Sequence, residues 1–274
     1  MVDVMRLDLV HPVISGNKWY KLKGYLQEAL TQNKKTILSF GGAYSNHIVA
    51  TAAACAQYQL KSIGIIRGEK PKEVSHTLAQ AEAYGMQLVF LSREDYRNRF
   101  ISADLLHDNS VYLIEEGGYG INGTKGVTEL FHDYELHNYT HIVAAVGTGT
   151  TLAGLIMGAG TDQQITGISV MKNNFSLEAE VRSLLPESKK QSFTIIHDYH
   201  FGGYARNNLQ LFSFINHWYE ETKLPSDFVY TGKLFFAVDD LIKKEYFSPA
   251  SKILVIHSGG LQGNLSLPKG TLIF

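Results

Sequence analysis

Short apolar runs alternate with amphipathic helical patterns along most of this 274-residue chain. The runs with strand character lie at residues 36–40, 62–66, 88–91, 111–114, 141–146, 165–170 and 252–256. Helices are predicted between them over residues 45–57, 75–84, 124–134 and 209–222. Continuous apolar runs of this length are typical of strands that are buried on both faces of a parallel sheet. The alternation therefore predicts an α/β fold built from doubly wound sheets.

The number of domains is left open by chain length, because a hydrophobic fraction of 45% supplies core for one large domain or two smaller ones. No internal repeat, low-complexity tract or long linker marks a boundary. From the alternation we place two chain crossings, near residues 34 and 135. This predicts a larger domain of residues 1–34 and 135–274, and a smaller domain of residues 35–134.

Charge and cysteine content argue against several classes of protein. Lys and Arg number 25 against 26 Asp and Glu, and no basic run is present that would follow a nucleic-acid backbone. No apolar run approaches the ~18 residues of a membrane helix, and the first residues lack the pattern of a secretory signal. The only cysteine, Cys55, lies in an apolar run and is predicted to be a core residue. We expect a cytoplasmic protein with no nucleic-acid or membrane partner.

Three of the predicted strands end in glycine-rich or polar turns that open a helix, at residues 40–47, 146–154 and 257–263. Because ligands of open α/β sheets bind at the carboxyl ends of strands, these turns are expected to wall one site. In the middle turn, Gly147 and Gly149 let the backbone approach an anion, and threonine hydroxyls add donors. An ordinary turn that needs positive φ explains the two glycines equally well.

The sequence does not match the residue spacing of other common ligand-binding motifs. The glycine after Gly149 is Gly154, so the dinucleotide pattern G-x-G-x-x-G is absent, and residues 169–172 offer no acid for a ribose. In residues 118–125 the Thr and Lys are transposed relative to a phosphate-binding P-loop. The eleven histidines show no H-E-x-x-H or Cys/His pairing, so a dedicated metal site is not indicated.

Five short motifs stand in a characteristic order. They are Gly16-Asn17-Lys18 with residues 19–22, similar to G-N-K-x-R-K-L; residues 41–47, similar to G-G-x-x-S-N-[HQ]; residues 146–154, similar to G-[ST]-G-x-T-x-A-G; residues 229–233, similar to V-Y-[ET]-G-K; and residues 257–260, similar to H-[TL]-G-G. A lysine amine that can bind an aldehyde and a Gly/Thr loop that can hold a phosphate together suggest pyridoxal phosphate (PLP). The motifs closely resemble those of PLP enzymes of the tryptophan synthase β fold, and among them the 1-aminocyclopropane-1-carboxylate (ACC) deaminase and D-cysteine desulfhydrase family.

The resemblance implies two doubly wound, mostly parallel α/β domains of PLP fold type II, with PLP in the larger domain. It also implies a small amino-acid substrate and a homodimer. Two features depart from the family. Tyr20 stands where the family prefers arginine. Family members also carry some tens of residues before the strand predicted here at residues 4–9, so we expect a segment that covers the site or supports a dimer to be missing.

The resemblance also assigns roles to residues. Lys18 would bind the cofactor aldehyde and then serve as a base; its alternative is a solvated surface lysine. Asn46 would contact the 3-hydroxyl of the cofactor, although Asn46 or Ser45 could instead be a helix cap. Ser45, Asn46 and His47 are predicted to bind the substrate, with Ser45 also catalytic. The phosphate would be held by Gly147, Thr148, Gly149, Thr150 and Thr151.

Tyr204 and Tyr230 resemble the two active-site tyrosines of the family, and a buried core aromatic is the alternative for each. The reaction depends on the groups that face the ring nitrogen of the cofactor, predicted to be Thr231 and Ser258. In the family a Glu in place of Thr231 accompanies cyclopropane ring opening, whereas hydroxyls leave the nitrogen largely neutral, which suffices for β-elimination. The pair therefore resembles the D-cysteine desulfhydrase branch.

The predicted reaction is α,β-elimination of a small amino acid, D-cysteine, to pyruvate, ammonia and sulfide. ACC deamination and other D-amino-acid lyase or racemase activities are the alternatives within the class. A hypothesis from a different class is a cofactor-binding relic with little catalysis.

Overall fold

A computed structural model describes residues 1–274 apart from the side chain of Leu106. The strands are β1 (Val2–Arg6), β2 (Thr36–Gly41), β3 (Lys61–Arg67), β4 (Met86–Leu91), β5 (Val111–Ile114), β6 (His141–Val146), β7 (Gln164–Ser169), β8 (Phe193–Ile196) and β9 (Ile253–His257). The helices are α1 (Asn17–Thr31), α2 (Asn46–Gln57), α3 (His76–Ala83), α4 (Arg93–Arg97), α5 (Ala103–His107), α6 (Ile121–Thr128), α7 (Leu130–Asp133), α8 (Thr150–Gly158), α9 (Leu177–Ser183), α10 (Leu209–Thr222) and α11 (Thr231–Lys243). Within the described part of the chain, no helix is both long and apolar enough to cross a membrane.

The strands form two sheets, and the pairings within both are parallel. One sheet has the order β1-β9-β6-β7-β8 and the other the order β4-β3-β2-β5. Each sheet grows outward in both directions from a central strand, with helices in the connections. The predicted α/β class with doubly wound, mostly parallel sheets is confirmed.

Both faces of the five-stranded sheet are covered. In β6, Ile142 and Val146 belong to a core that includes residues of α6 and α8, whereas Val143 and Ala145 belong to a core with residues of α11. Side chains of a strand alternate between faces, so a strand covered on both faces needs apolar residues at every position. On α2, Cys55 is a fully buried residue of the core that also includes Ile37 and Ile114 of the four-stranded sheet, as predicted, and burial raises the pKa of its thiol to about 12.

Three expectations about elements were wrong. The strand predicted at residues 4–9 is β1 (Val2–Arg6), followed by a short 3-10 helix at Leu7–Leu9. The edge strand β8 (Phe193–Ile196) was missed; it is four residues long and none of them is fully buried, so it lacks a continuous apolar signal. The helix predicted at residues 124–134 is instead the pair α6 and α7, and α6 begins directly after Gly120, whose φ is 139°.

The four-stranded sheet takes its strands from residues 36–114, and the five-stranded sheet takes its strands from the chain on either side. Helices α6 and α7 lie inside the predicted smaller domain, yet they contribute Val127, Leu130 and Phe131 to the core of the five-stranded sheet. The core of the five-stranded sheet thus includes residues from both sides of position 135. The domain division at residues 34 and 135 stays a prediction.

Candidate active site

The three predicted turns line one cavity of about 1360 Å³ at the carboxyl ends of β2, β6 and β9. The start of α1, a segment before α10 and the segment before α11 also line it. The predicted site residues that line the cavity are Lys18, Ser45, Asn46, His47, Gly147, Thr148, Gly149, Thr151, Tyr204, Tyr230 and Ser258. Segments that are far apart in the sequence thus meet at one place, as the sheet topology requires.

The backbone at the start of α1 brings Lys18 to the cavity floor. Gly16 precedes the helix with φ 68°, and a Cβ atom there would lie 1.7 Å from the carbonyl oxygen of Ser258. Only glycine allows this approach. The Asn17 amide then joins two parts of the site: Oδ1 accepts from Lys18 Nζ at 2.7 Å, and Nδ2 donates to Thr151 Oγ1 at 2.7 Å.

Lys18 has the electrostatic environment of a nucleophilic amine. Protein atoms surround its side chain, and this burial lowers the pKa to about 8, with the carboxylate of Asp227 acting in the opposite direction. A lower pKa raises the fraction of neutral amine near pH 7. The alternative of a solvated surface lysine does not fit this position.

The Gly/Thr loop follows β6 and leads into α8. Gly149 has φ 87°, in the left-handed region, and immediately precedes the helix. A Cβ atom on Gly147 would lie 3.2 Å from the Tyr230 ring, so the ring packs closely on this glycine. Gly147, Thr148 and Gly149 all line the cavity. The N–H groups of the first helical turn have no carbonyl partner within the helix and favour an anion. The loop geometry therefore suits a phosphate.

A second buried lysine, Lys21, lines the cavity and was not among the predicted site residues. Its Nζ donates to the carbonyl of Gly117 at 3.1 Å, and Gly117 lies against the side chain of Thr148. Burial, reinforced by the charge of Lys18, holds the pKa of Lys21 well below its ordinary value. The three-residue spacing from Lys18 on α1 is the sequence signal that could have identified it.

The start of α2 presents Ser45 and Asn46 to the cavity. Ser45 is the helix cap, because its Oγ accepts from the backbone N–H of Ile48 at 3.3 Å. Its hydroxyl hydrogen remains available to a ligand. Asn46 donates from Nδ2 to the carbonyl of Gly260 at 3.5 Å, and its buried Oδ1 has no partner among the described residues. That oxygen suits a hydroxyl donor on a ligand.

His47 is constrained more tightly than predicted. Its Nε2 lies 2.9 Å from Oγ of Ser39, and that hydroxyl donates to the carbonyl of Ile114 at 2.8 Å. Nε2 must therefore be the donor, which leaves Nδ1 as an acceptor. Burial, together with the nearby lysines, holds the pKa of His47 well below its ordinary value. A neutral acceptor nitrogen does not bind a carboxylate, so only the backbone N–H of His47 suits that task.

The two predicted tyrosines form a pair on the cavity wall. The ring centroids of Tyr204 and Tyr230 lie 6.0 Å apart with an interplanar angle of 71°, an edge-to-face contact. Tyr204 is 46% exposed, which excludes a buried core aromatic. Desolvation at the cavity wall raises the pKa of both phenols, well above the ordinary value for Tyr230 and less for the more exposed Tyr204, so both remain protonated at neutral pH.

Thr150 and Thr231 are not among the described residues that line the cavity; both are fully buried at the start of helices. Contrary to the expected placement at a ring nitrogen, the Thr231 hydroxyl donates to Oδ1 of Asp227 at 2.7 Å. The carboxylate of Asp227 also accepts from the backbone N–H groups of Val229, Tyr230 and Thr231, at 2.8–2.9 Å. Asp227 is thus a buried residue beside the cavity wall that was missed, because its contacts with residues 229–231 form only in the folded chain.

These features fit PLP. The amine of Lys18 can meet an aldehyde, the loop from Gly147 can hold a phosphate, and the unpartnered Oδ1 of Asn46 can accept from a ring hydroxyl. Lys21 lies beside the phosphate loop, where its amine could donate a further hydrogen bond.

Known proteins with similar sequences and structures identify the family. The model of a family described as pyridoxal-phosphate dependent enzyme matches residues 5–259. A putative ACC deaminase of Pyrococcus abyssi is 29% identical over 283 residues, covering 96% of this chain and 85% of the relative. A bifunctional D-cysteine desulfhydrase/ACC deaminase, mitochondrial, of Arabidopsis thaliana is 28% identical over 292 residues, covering 95% of this chain and 72% of the relative.

The crystal structure of an ACC deaminase homologue superimposes with a TM-score of 0.83 at 27% identity, covering 96% of this chain and 85% of that chain. The predicted fold type II and PLP dependence are confirmed. This chain is a PLP-dependent enzyme and belongs to the pyridoxal-phosphate dependent enzyme family, with ACC deaminases and D-cysteine desulfhydrases as its relatives.

Proposed function

We propose that this enzyme catalyses α,β-elimination, with D-cysteine and water as reactants and pyruvate, ammonia and sulfide as products. The observation that carries the proposal is the side of the cavity lined by residues 229–230 and 258–260. Of the two hydroxyls predicted there, only that of Ser258 belongs to the cavity lining. Thr231 stands where a Glu accompanies ring opening in the family, and its hydroxyl is engaged by Asp227.

The chemistry of the substrate explains why this arrangement favours elimination. Bound PLP supplies an electron sink for negative charge at the substrate Cα. A carboxylate would deepen that sink, but the Asp227 carboxylate is already occupied by three backbone N–H groups and the Thr231 hydroxyl. The hydroxyl of Ser258 stabilises positive charge less than a carboxylate does. In elimination the departing thiolate carries the electron pair away, so a shallow sink suffices.

The other residues of the cavity have matching tasks. The backbone N–H groups of Asn46 and His47, at the start of α2, are placed to bind the substrate carboxylate, with the Ser45 hydroxyl beside them. Lys18, with its lowered pKa, serves as the base that removes the Cα proton. Tyr204 and Tyr230, protonated and adjacent, can donate a hydrogen bond to the departing sulfur.

ACC deamination is the second candidate, and the relatives support it directly. The Pyrococcus abyssi relative is named a putative ACC deaminase, and the Arabidopsis thaliana relative is named for both activities. The two reactions are distinguished by the leaving group, since ring opening of the cyclopropane releases no β-substituent.

The substrate preference tests the proposal. We expect pyruvate release from D-cysteine or β-chloro-D-alanine to exceed 2-oxobutanoate release from ACC by about tenfold or more in kcat/KM, a barrier difference of ~1.4 kcal/mol. The measurement is a keto-acid assay on the PLP-loaded enzyme, with L-cysteine as the control for chirality. Equal efficiency, or a preference for ACC, would establish the second candidate. Cofactor absorbance without keto acid from any substrate would indicate a binding relic.

The reactivity of the Lys18 amine should depend on pH in a defined way. With a pKa of about 8, its rate of acylation in the cofactor-free protein should rise about tenfold per unit below pH 8 and level off above it. Lys243 is the control, because its hydrogen bond to the carboxylate of Asp239 raises its pKa and its reactivity should keep rising. Mass spectrometry of labelled peptides measures both lysines. A Lys18 rate that still rises at pH 10 would contradict the assigned environment.

We also propose that the enzyme is a homodimer in the cytoplasm. A single, buried cysteine, Cys55, suits a reducing compartment such as the cytoplasm. The homodimer follows from the family resemblance. Sedimentation equilibrium of the PLP-loaded protein would measure the assembly, and a monomer at micromolar concentration would contradict the dimer.

A further inference from the structure

Lys233 is a buried lysine that the proposed reaction does not use. It lies on α11, three residues after Tyr230, and its side chain is fully buried. Nζ donates to the carbonyl oxygens of His200 at 2.9 Å and Gly203 at 2.8 Å. Burial lowers its pKa to about 8, a measure of how unfavourable an ammonium group is in this position. An apolar side chain would fill the same space without the free-energy cost of burying a charge. A lysine at this position is therefore explained only by what its two hydrogen bonds hold in place.

The two carbonyl groups belong to a segment with unusual backbone geometry. Phe201 has φ 52° and Ala205 has φ 53°, and both are residues that rarely adopt the left-handed region. No strand or helix of the described chain includes residues 200–206. Such a conformation persists only where neighbouring structure holds it. Tyr204 lies inside this segment, directly after the Gly203 carbonyl that Lys233 binds.

Lys233 therefore connects the two tyrosines of the cavity. Tyr230 immediately precedes α11, whereas Tyr204 is carried by the irregular segment. The ammonium group ties that segment to α11 by two charge-assisted bonds, which are stronger than neutral ones. Phe201 of the same segment also packs edge-to-face on Phe236 of α11, with ring centroids 4.9 Å apart, but it is Lys233 that binds the carbonyl directly before Tyr204.

We propose that Lys233 is a positioning residue that holds Tyr204 against Tyr230 at the cavity wall. The proposal rests on the proposed function insofar as Tyr204 faces the substrate. The contact between Lys233 and the segment does not depend on the substrate. A measurement of the segment alone can therefore test the inference separately from the proposed function.

The experiment replaces Lys233 with methionine, an unbranched side chain that fills most of the same space and removes the donors. In hydrogen–deuterium exchange of the cofactor-free protein, we expect the amides of residues 200–206 to exchange about tenfold faster. The matched control is Leu234→Ala, at the next and equally buried position of α11, which lacks any bond to the segment. It should destabilise the protein without this local increase. Unchanged exchange in Lys233→Met, or the same increase in both variants, would overturn the proposal.

A double-mutant cycle on the PLP-loaded enzyme tests the route through Tyr204. Lys233→Met alone should lower kcat/KM for D-cysteine by about a hundredfold, as expected for misplacement of an active-site group. In a Tyr204→Ala background, the same change should have little further effect, because the residue it positions is gone. Additive losses would overturn the role of Lys233 as a positioning residue. An enzyme inactive on D-cysteine would contradict the proposed function, while the exchange experiment would still decide the inference.

If Lys233→Met does not fold, Lys233→Gln is measured instead. Its shorter side chain cannot reach both carbonyl groups, so faster exchange of residues 200–206 is again expected. Wild-type exchange in Lys233→Gln would contradict the proposal.

Discussion

Replacing Lys18 with alanine should abolish turnover and the visible absorbance of the bound cofactor. Removal of a general base alone slows a reaction by about 10²–10⁴-fold, and this change also removes the amine that meets the aldehyde. We therefore expect a loss of at least about 10³-fold in kcat, measured by keto-acid release. The fold should persist, because the hydrogen bond of Lys18 Nζ is to its neighbour Asn17 and the side chain faces the cavity.

Lys23→Ala is the matched control for this variant. Lys23 lies on the same helix, α1, but its side chain is 40% exposed and pairs with Glu129 outside the cavity. Its removal should leave turnover and absorbance close to those of the wild type. The assignment of Lys18 would be abandoned if Lys18→Ala retained full activity with an unchanged spectrum, whatever the behaviour of Lys23→Ala.

Elements with strong local signals could be predicted from the sequence. Helices α2, α3 and α10 were predicted within a residue or two, and each begins after a Ser or Asn whose side chain accepts from a backbone N–H: Ser45, Ser75 and Asn208. Strand β6 was predicted at its observed bounds because burial on both faces makes residues 142–146 apolar without interruption. Helix α6 has no side-chain cap and contains Gly123 and Gly126, which lower its helix propensity. The start of this helix could therefore not be predicted from the neighbouring sequence.

The candidate site divides in the same way. The turns that line the cavity were recognisable because each is a contiguous segment with its own motif. Asp227 and the acceptor nitrogen of His47 depend on contacts made only after folding, such as that between His47 and Ser39. Thr231 shows most clearly what residue spacing cannot predict. Its neighbour Tyr230 lines the cavity, yet its own hydroxyl is directed to Asp227, and residue spacing cannot reveal that choice.

Replacing Gly149 with valine should weaken PLP binding by about tenfold or more in Kd, which corresponds to ~1.4 kcal/mol. Gly149 has φ 87°, and a left-handed backbone costs an L-residue ~1–2 kcal/mol. A Cβ atom there would also lie 2.8 Å from Cγ2 of Val181, so either that side chain or the turn must shift. The N–H groups that would face the phosphate move with it. Titration of the cofactor-free protein with PLP, followed by absorbance, measures the change.

Gly85→Val separates loss of binding from general destabilisation. Gly85 has a similar φ of 84°, but a Cβ atom there would meet nothing within 4 Å, and the residue lies in the turn between α3 and β4. Both substitutions impose the same kind of backbone strain, so both should lower the melting temperature. Only Gly149→Val should raise the Kd for PLP, because only that turn faces the cavity. An unchanged Kd in Gly149→Val would mean that the phosphate binds elsewhere, and an equal rise in both variants would attribute the effect to stability alone.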